Sequence, residues 1–325
     1  MVKKMMLLSI CIPTYNRSKL LGELLDFLLR ILNKRDKNNC IEIVISDNAS
    51  NDDTEKVVEK YKRFYANLFY YKNKTNVLDK NYYLATQRAS GKYVWILSDD
   101  DRITENAIDK ILKVIERNYN LIVCNHSLWS FDFSTLIRKR YLPFDIDMEI
   151  KNHNNLMEKI GLKLGFISSV IFKKELFFKL PESEYDKFVE YGFPFLYAIY
   201  NGVIENCNAY IISEPIVCAR GSQGIADMHW WYKTFVVGSA LLFDDLCGKG
   251  YSKHAINISK NRVLIDYVMH DISSRRRNGA TTKKVFSYLY PYYKRYICFW
   301  LVCLPLLFMP PSIIKLIKKY IKSIR

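Results

Sequence analysis

The order of apolar segments in the first hundred residues predicts an α/β fold. It is a mostly parallel, doubly wound sheet flanked by helices, followed by a helical, basic C-terminal region. Three observations carry that expectation. Short apolar runs of strand length alternate with longer stretches of helical spacing. Three of the strand-like runs are each followed at once by a polar cluster. The positive charge of the chain is gathered in its last quarter.

Leu7 to Ile12 reads as a buried strand that Pro13 ends. Residues 18–32 have helical spacing through Leu20, Leu21, Leu24, Leu25, Leu28 and Leu29, with Ser18 as N-cap. Ile41 to Ser46 is a second strand, running into the polar turn Asp47 to Asp53 and a helix over 54–65. Leu68 to Tyr71 is a third strand. Asn81 to Ser90 is helical, Gly91 closes it as a C-cap, and Tyr93 to Leu97 is the fourth strand. A further strand is expected over 210–218. In sheets of this kind ligands bind outside the carboxyl ends of the strands. Thr14-Tyr15-Asn16, Asp47 to Asp52 and Asp99 to Asp101 should therefore converge on one edge. There is no GxGxxG and no GxxxxGK[ST], which excludes a dinucleotide fingerprint and a P-loop.

Asp99, Asp100 and Asp101 follow the apolar run Tyr93 to Leu97 with only Ser98 between. Adjacent carboxylates repel, and burying them unpaired costs several kcal/mol each, as a rough figure. A divalent cation cancels that repulsion, and Mg²⁺ or Mn²⁺ suits hard oxygen ligands shared with a substrate phosphate. The pattern points to a metal–diphosphate site. The alternative is an acidic turn that caps the next helix.

The chain has 325 residues, half of them apolar, enough for a sizeable core in one large domain or two smaller ones. Its eight cysteines form no CxxC pair and read as reduced thiols of a cytoplasmic protein. No cleavable signal peptide is expected, because the short apolar run after Lys3 and Lys4 passes into Pro13 without a small-residue cleavage site. The net charge is +16. Residues 249–325 hold 16 Lys and Arg against Asp266 and Asp271, so +14 of that charge lies in this tail. The tail also holds an apolar run over 297–309, then Pro310-Pro311. Beyond them Ile313, Ile314, Leu316, Ile317, Tyr320 and Ile321 fall mainly on one helical face, with lysines mostly opposite. Such a segment suits an anionic membrane surface. The run is short of the roughly 20 residues of a spanning helix, so the expected mode is in-plane or shallow insertion across 297–325. No nucleic-acid motif accompanies the charge, and no nucleic-acid partner is expected.

The segments Ser9 to Arg17 (SICIPTYNR), Ile43 to Asp52 (IVISDNASND) and Tyr93 to Asp101 (YVWILSDDD) resemble the family 2 glycosyltransferases of GT-A fold, in order and spacing. Asn76 to Asn81, Trp95 to Asp101 and Phe166 to Glu175 are similar to the abequosyltransferase-like branch of bacterial surface-polysaccharide enzymes. The resemblance implies a GT-A domain over 1–235, with a nucleotide-sugar-binding half at 1–125 and an acceptor half at 126–235. A helical basic region then covers 236–325. It implies a nucleotide-sugar donor, UDP-linked in the first instance with CDP and dTDP open, bound by Pro13, Thr14, Tyr15, Asn16, Asp47, Asn48, Arg88, Asp99 and Asp100. Thr14 and Tyr15 would flank the base and Asp47 would accept from it. Asp99 and Asp101 match the DxD pattern. With Asp100 also acidic, any of the three could ligate Mn²⁺ or Mg²⁺, and His229 is a further candidate ligand. Arg88 would approach a phosphate or face solvent. Where many family members carry glycines, this chain reads Val77-Leu78-Asp79-Lys80-Asn81, and a different loop backbone is expected.

The implied reaction is an inverting displacement, in which one carboxylate acts as general base toward the acceptor hydroxyl. Glu190 is the first candidate because an apolar helical run follows it at the family's spacing; Asp186 is the second. The acceptor is expected to be a lipid-linked glycan, in O-antigen or capsule synthesis, met by a peripheral enzyme at the cytoplasmic face of the bacterial inner membrane. Two other classes would use the same features: a metal-dependent nucleotidyl or phosphoryl transferase, and a non-catalytic membrane adaptor.

Overall fold

The computed structural model describes residues 6–35, 40–222, 226–282, 284–310 and 312–314. Contact clustering divides the chain into two units. The first runs to residue 223, leaving out 157–162 and 191–193; the second takes in those two segments and the chain from 224 on. The sequence placed this division at 235/236. That point falls inside one unbroken helical stretch, where Met228–Tyr232 passes through a π-helical turn, Lys233–Gly238, into Ser239–Gly248.

The first unit is built on a single sheet whose strands are β1 (Leu8–Thr14), β2 (Ile41–Asp47), β3 (Leu68–Lys72), β4 (Tyr93–Ile96), β5 (Arg102–Ile103), β6 (Leu121–Trp129), β7 (Leu136–Arg138), β8 (Met148–Ile150), β9 (Val170–Lys173) and β10 (Ala209–Arg220). Their order is β3-β2-β1-β4-β9-β6-β10-β5, with β7 beside β6 and β8 beside β10. β1 pairs in parallel with β2 and β4, β2 with β3, and β6 with β10. β9 runs antiparallel to both β4 and β6. β2 and β4 are buried at every position, as parallel strands covered on both faces are. This is why they read as continuous apolar runs.

The helices of this unit are α1 (Ser18–Arg35), α2 (Thr54–Lys62), α3 (Lys80–Arg88), α4 (Ala107–Glu116), α5 (His153–Ile160, which enters the second unit at 157), α6 (Lys174–Phe177), α7 (Glu182–Asp186) and α8 (Pro194–Gly202). α1 buries Leu21, Leu24, Leu25, Leu28 and Leu32, four of them on the stripe that its leucine spacing predicts. Its first N–H, from Ser18, donates to Asp52 Oδ2 at 2.9 Å, so the acidic turn after β2 serves this helix end. Gly91 is not a left-handed cap. The residue after α3, Ala89, is extended, and Gly91 is small because a Cβ there would lie 2.7 Å from the Ser9 backbone nitrogen.

The second unit is helical: α9 (Met228–Tyr232), α10 (Ser239–Gly248), α11 (Lys253–Arg262), α12 (Met269–Arg277), α13 (Val285–Tyr293) and α14 (Leu304–Phe308). Its core includes Tyr232, Phe243, Leu264, Tyr293, Phe299 and Cys303, all fully buried. No helix among the described residues is long and apolar enough to cross a membrane. Beyond Ile314, the amphipathic segment expected over 313–321 lies outside the described residues.

His126 on β6 is buried between the rings of Tyr141 and Phe166, at centroid distances of 4.5 and 4.1 Å. Its buried Nδ1 has no hydrogen-bond partner among the described residues. Burial, then the charge of Arg138, lower its pKa to about 3. Between that value and the ordinary pKa of about 6.5, the unfolded chain binds a proton that the folded chain does not, so stability falls as pH drops through this window. The difference should reach about 2 kcal/mol by pH 4.5. We expect wild type to lose that much more stability than His126→Phe between pH 7 and pH 4.5, measured by urea unfolding. Equal losses would show that the folded imidazole takes up its proton as readily as the unfolded one.

Candidate active site

The carboxyl ends of β1, β2 and β4 bring Thr14, Asp47 and the loop Ser98–Asp101 to one edge of the sheet. Because β9 is inverted, its beginning arrives at this same edge, and Ser168, just ahead of β9, meets the aspartate loop. The Ser98 N–H donates to Ser168 Oγ at 3.0 Å, and Ser168 Oγ donates to Asp101 Oδ2 at 2.6 Å. The Arg220 N–H, at the end of β10, donates to Asp101 Oδ1 at 2.9 Å. Arg220 Nε holds the Asp100 carbonyl at 2.7 Å, and its remaining nitrogens reach the Phe131 carbonyl and Glu23 Oε2. Asp101 is thus turned into the protein, where burial foremost raises its carboxyl to about 7.

Asp99 and Asp100 face the other way. Thr14 Oγ1 donates to Asp99 Oδ2 at 2.7 Å. Arg17 Nη1 lies 2.9 Å from Asp99 Oδ1 and 3.3 Å from Asp100 Oδ2, so two carboxylates converge on one positive centre. Burial raises Asp99 to about 6, against the opposing pull of Arg17. Convergent hard oxygens of this kind suit a divalent cation. Asp99 and Asp100 could hold one if the half-exposed Arg17 side chain moved aside. No group of three or more His, Cys, Asp or Glu side chains among the described residues could hold a metal.

A cavity of about 280 Å³ opens at this edge. Pro13, Thr14, Tyr15 and Asn48 line it, together with Asp99 and Arg17. Opposite them stand Asn76, Leu78, Asp79, Asn81 and Tyr82. Under this second wall runs a lattice of amides. Asn48 Nδ2 donates to Asn76 Oδ1 at 2.9 Å, and Asn48 Oδ1 accepts from the Val77 N–H and from Asn73. Asn81 joins Asn73 to Ser46. The lattice holds Leu78 at φ 52°, a left-handed conformation that favours glycine. The non-glycine loop therefore holds a left-handed turn at a leucine.

Several expected residues take other places. Asp47 is fully buried, accepting from the Ser50 N–H at 2.9 Å and the Tyr70 hydroxyl at 2.6 Å, and does not line the cavity. The Asn16 N–H donates to Ser50 Oγ and its Oδ1 accepts from the Asn51 N–H, tying the turns after β1 and β2 together. Arg88 neither lines the cavity nor points freely to solvent. It donates to Ser46 Oγ and Asn73 Oδ1, both at 2.6 Å, because the amide lattice offers acceptors beneath the loop. Asp186 shares Lys80 with Glu182, each at 2.8 Å. Glu190 is exposed in the one-turn helix Val189–Tyr191. Neither carboxylate is on the cavity wall. His229 belongs to the second unit, where its Nδ1 is hydrogen-bonded to the Tyr288 hydroxyl. Arg17, Asp79, Tyr82 and Ser168 were not singled out from the sequence. Arg17 adjoins the first motif, and Ser168 lies in the Phe166–Glu175 segment. Nothing local to Arg220 announces a partner 119 residues away.

Comparison with known proteins agrees with this geometry. Glycosyl transferase family 2 matches residues 9–177. The chain is 28% identical over 234 residues to Abequosyltransferase RfbV of Salmonella typhimurium, covering 67% of this chain and 68% of the relative. It is 29% identical over 184 residues to the GalNAc(5)-diNAcBac-PP-undecaprenol beta-1,3-glucosyltransferase of Campylobacter jejuni, with 52% of each chain covered. Among solved structures, S. aureus TarS 1–349 in complex with UDP-GlcNAc is similar at a TM-score of 0.61 and 16% identity, over 87% of this chain and 78% of that one. Mannosyltransferase PcManGT from Pyrobaculum calidifontis, in complex with GDP-Man and Mn2+, is similar at 0.51 and 15% identity, over 94% and 86%. From the family match over more than half its length, and with the GT-A sheet of these neighbours, the chain belongs to glycosyl transferase family 2.

Proposed function

We propose that this glycosyltransferase moves a sugar, with inversion, from a nucleoside-diphosphate donor to a lipid-linked glycan in bacterial surface-polysaccharide synthesis. The observation that carries this reading is the convergence of Thr14, Arg17 and Asp99 on one cavity at the carboxyl edge of the sheet, with Asp100 sharing Arg17 beside it. Tyr15, 44% exposed beside Pro13 and Thr14, offers a ring for the base to stack on. Mn²⁺ or Mg²⁺ on Asp99 and Asp100 would offset charge on the departing diphosphate. Arg17, released from those carboxylates, supplies a second positive group within the same cavity. Glu190 is the general base that takes the acceptor's hydroxyl proton, and Asp186, which shares Lys80 with Glu182, is the second candidate. UDP is favoured as the nucleotide by the UDP-GlcNAc complex of the TarS neighbour. The undecaprenol-linked substrate in the Campylobacter relative's name supports a lipid-linked acceptor. Family membership favours glycosyl transfer over nucleotidyl or phosphoryl transfer and over an adaptor role.

A place at the cytoplasmic face of the inner membrane is supported by the second unit. Ile297, Leu301 and Phe308 are each more than two-thirds exposed, and Trp300 is 44% exposed. Lys253, Lys294 and Arg295 line a cavity of about 1040 Å³, in whose wall the buried Lys260 is paired with Asp244. Apolar side chains beside clustered cations suit an anionic lipid surface.

Three outcomes are expected. Calorimetric titration with UDP, CDP, GDP and dTDP, in Mn²⁺ and in EDTA, should give metal-dependent binding of one nucleotide. Asp100→Asn should weaken it at least ten-fold with unchanged thermal stability, whereas Asp101→Asn should lower the melting temperature. No nucleotide binding by well-folded protein would sink the donor reading. Glu190→Gln should reduce transfer by about two to four orders of magnitude while donor affinity holds; the same loss in Asp186→Asn alone would move the base there. Finally, Leu301→Glu with Phe308→Glu should cut sedimentation with phosphatidylglycerol vesicles about ten-fold or more. Substitutions are used because Phe299, Cys303 and Leu307 are buried, so removing 297–325 would open the core of the second unit. Unchanged sedimentation would remove this surface as the anchor.

A further inference from the structure

Asp79 and Tyr82 stand three residues apart at the start of α3, a spacing that puts them on one helix face, and both line the donor cavity. Asp79 occupies the N-cap position of α3, yet its side chain makes no capping hydrogen bond. Its backbone is held instead: the Asp79 carbonyl accepts from the Tyr185 hydroxyl at 3.0 Å and from the Tyr82 N–H at 3.3 Å. No donor among the described residues reaches the carboxylate, and burial alone raises its pKa to about 6. The Tyr82 ring packs edge-on against Phe195. Its hydroxyl makes no hydrogen bond among the described residues, and burial followed by the charge of Asp79 keeps it a neutral phenol.

The contrast with the neighbouring wall is informative. Thr14, Asn48, Asn81 and Asp99, which line the same cavity, spend their side-chain polar atoms on protein partners. Asp79 and Tyr82 are partly buried at the cavity wall, and no donor or acceptor among the described residues engages either side chain, so both are open to a ligand in the cavity. The ligand cannot be the diphosphate, which the Asp79 carboxylate would repel. A sugar ring fits: it is neutral, and each hydroxyl both donates and accepts. A carboxylate takes two donors from neighbouring hydroxyls, and a phenol gives or takes one.

We infer that Asp79 and Tyr82 form a hydroxyl-binding pair for the transferred sugar of the donor, opposite the Arg17–Asp99–Asp100 group that meets the diphosphate. This rests on the nucleotide-sugar reading and adds which residues read the sugar. A site whose hydrogen-bonding groups are covered by the bound ligand rejects analogues that lack the matching hydroxyl. The pair is therefore a determinant of donor choice.

The test compares wild type, Asp79→Asn and Tyr82→Phe by calorimetry with Mn²⁺. The ligands are UDP, UDP-glucose, UDP-galactose and UDP-GlcNAc, or the matching CDP, GDP or dTDP compounds if another nucleotide is preferred. For the sugar nucleotide that wild type binds best, the affinity ratio of sugar nucleotide to nucleoside diphosphate should fall five- to ten-fold in each variant. Affinity for the nucleoside diphosphate itself should hold, which also shows that the variant is folded. A ratio that stays put overturns the pair as a sugar reader. A parallel loss for both ligands assigns the pair to the ribose or to the fold, and overturns it equally. Wild type that binds no nucleoside diphosphate would defeat the donor reading and this inference together, an outcome distinct from the other two.

Discussion

Asp101 is a carboxyl group pushed up to about 7 by burial, and two donors from distant parts of the chain hold it in place. The arrangement of the sheet edge depends on that anchoring. Three adjacent carboxylates facing one cavity would repel one another and drive protons onto themselves. With the third turned to Ser168 and the Arg220 N–H, two are left to face outward and share Arg17. Arg220 closes the arrangement from the far side, its guanidinium only 5% exposed and spread over the Asp100 carbonyl, the Phe131 carbonyl and Glu23. A buried polar network is stabilising when every member is paired. Here the pairing also orients the aspartate loop at the sheet edge.

The opposite wall of the cavity is held by a different device. Left-handed backbone at Leu78 costs about 1–2 kcal/mol. The amides of Asn48 and Asn76 accept from the Val77 and Leu78 N–H groups and offset that cost. Arg88 sits beneath, with Ser46 and Asn73 as acceptors, over the face of Tyr71. One wall is therefore fixed by charge and the other by neutral hydrogen bonds. That division suits a ligand with a charged diphosphate at one end and a neutral polyol at the other.

The second unit has another character. It carries most of the net positive charge and several large exposed apolar side chains, while its core is rich in aromatic residues. Nothing in it resembles the carboxylate loop of the first unit. The separation of charge seen along the sequence thus corresponds to a separation into units: a nearly neutral one that carries the sheet, and a cationic helical one.

The alternation of strands and helices, the polar clusters after β1, β2 and β4, and the basic C-terminal region were all legible in the sequence. Each is a local signal, carried by side-chain periodicity or by neighbours in the chain. The direction of β9 was not legible, nor was the frame of the aspartate triplet, because Asp101 is sorted from Asp99 and Asp100 by Ser168 and Arg220, 67 and 119 residues away. Arg88 shows the same limit: its neighbours in the chain suggest a free helix surface, and its partners come from β2 and the segment after β3. Sequence by itself determined which segments are buried and which polar clusters share one edge of the sheet, since burial leaves a period that the chain records. Which oxygen faces the cavity was decided only by the tertiary structure, since hydrogen bonds between distant segments exist only once the sheet has assembled.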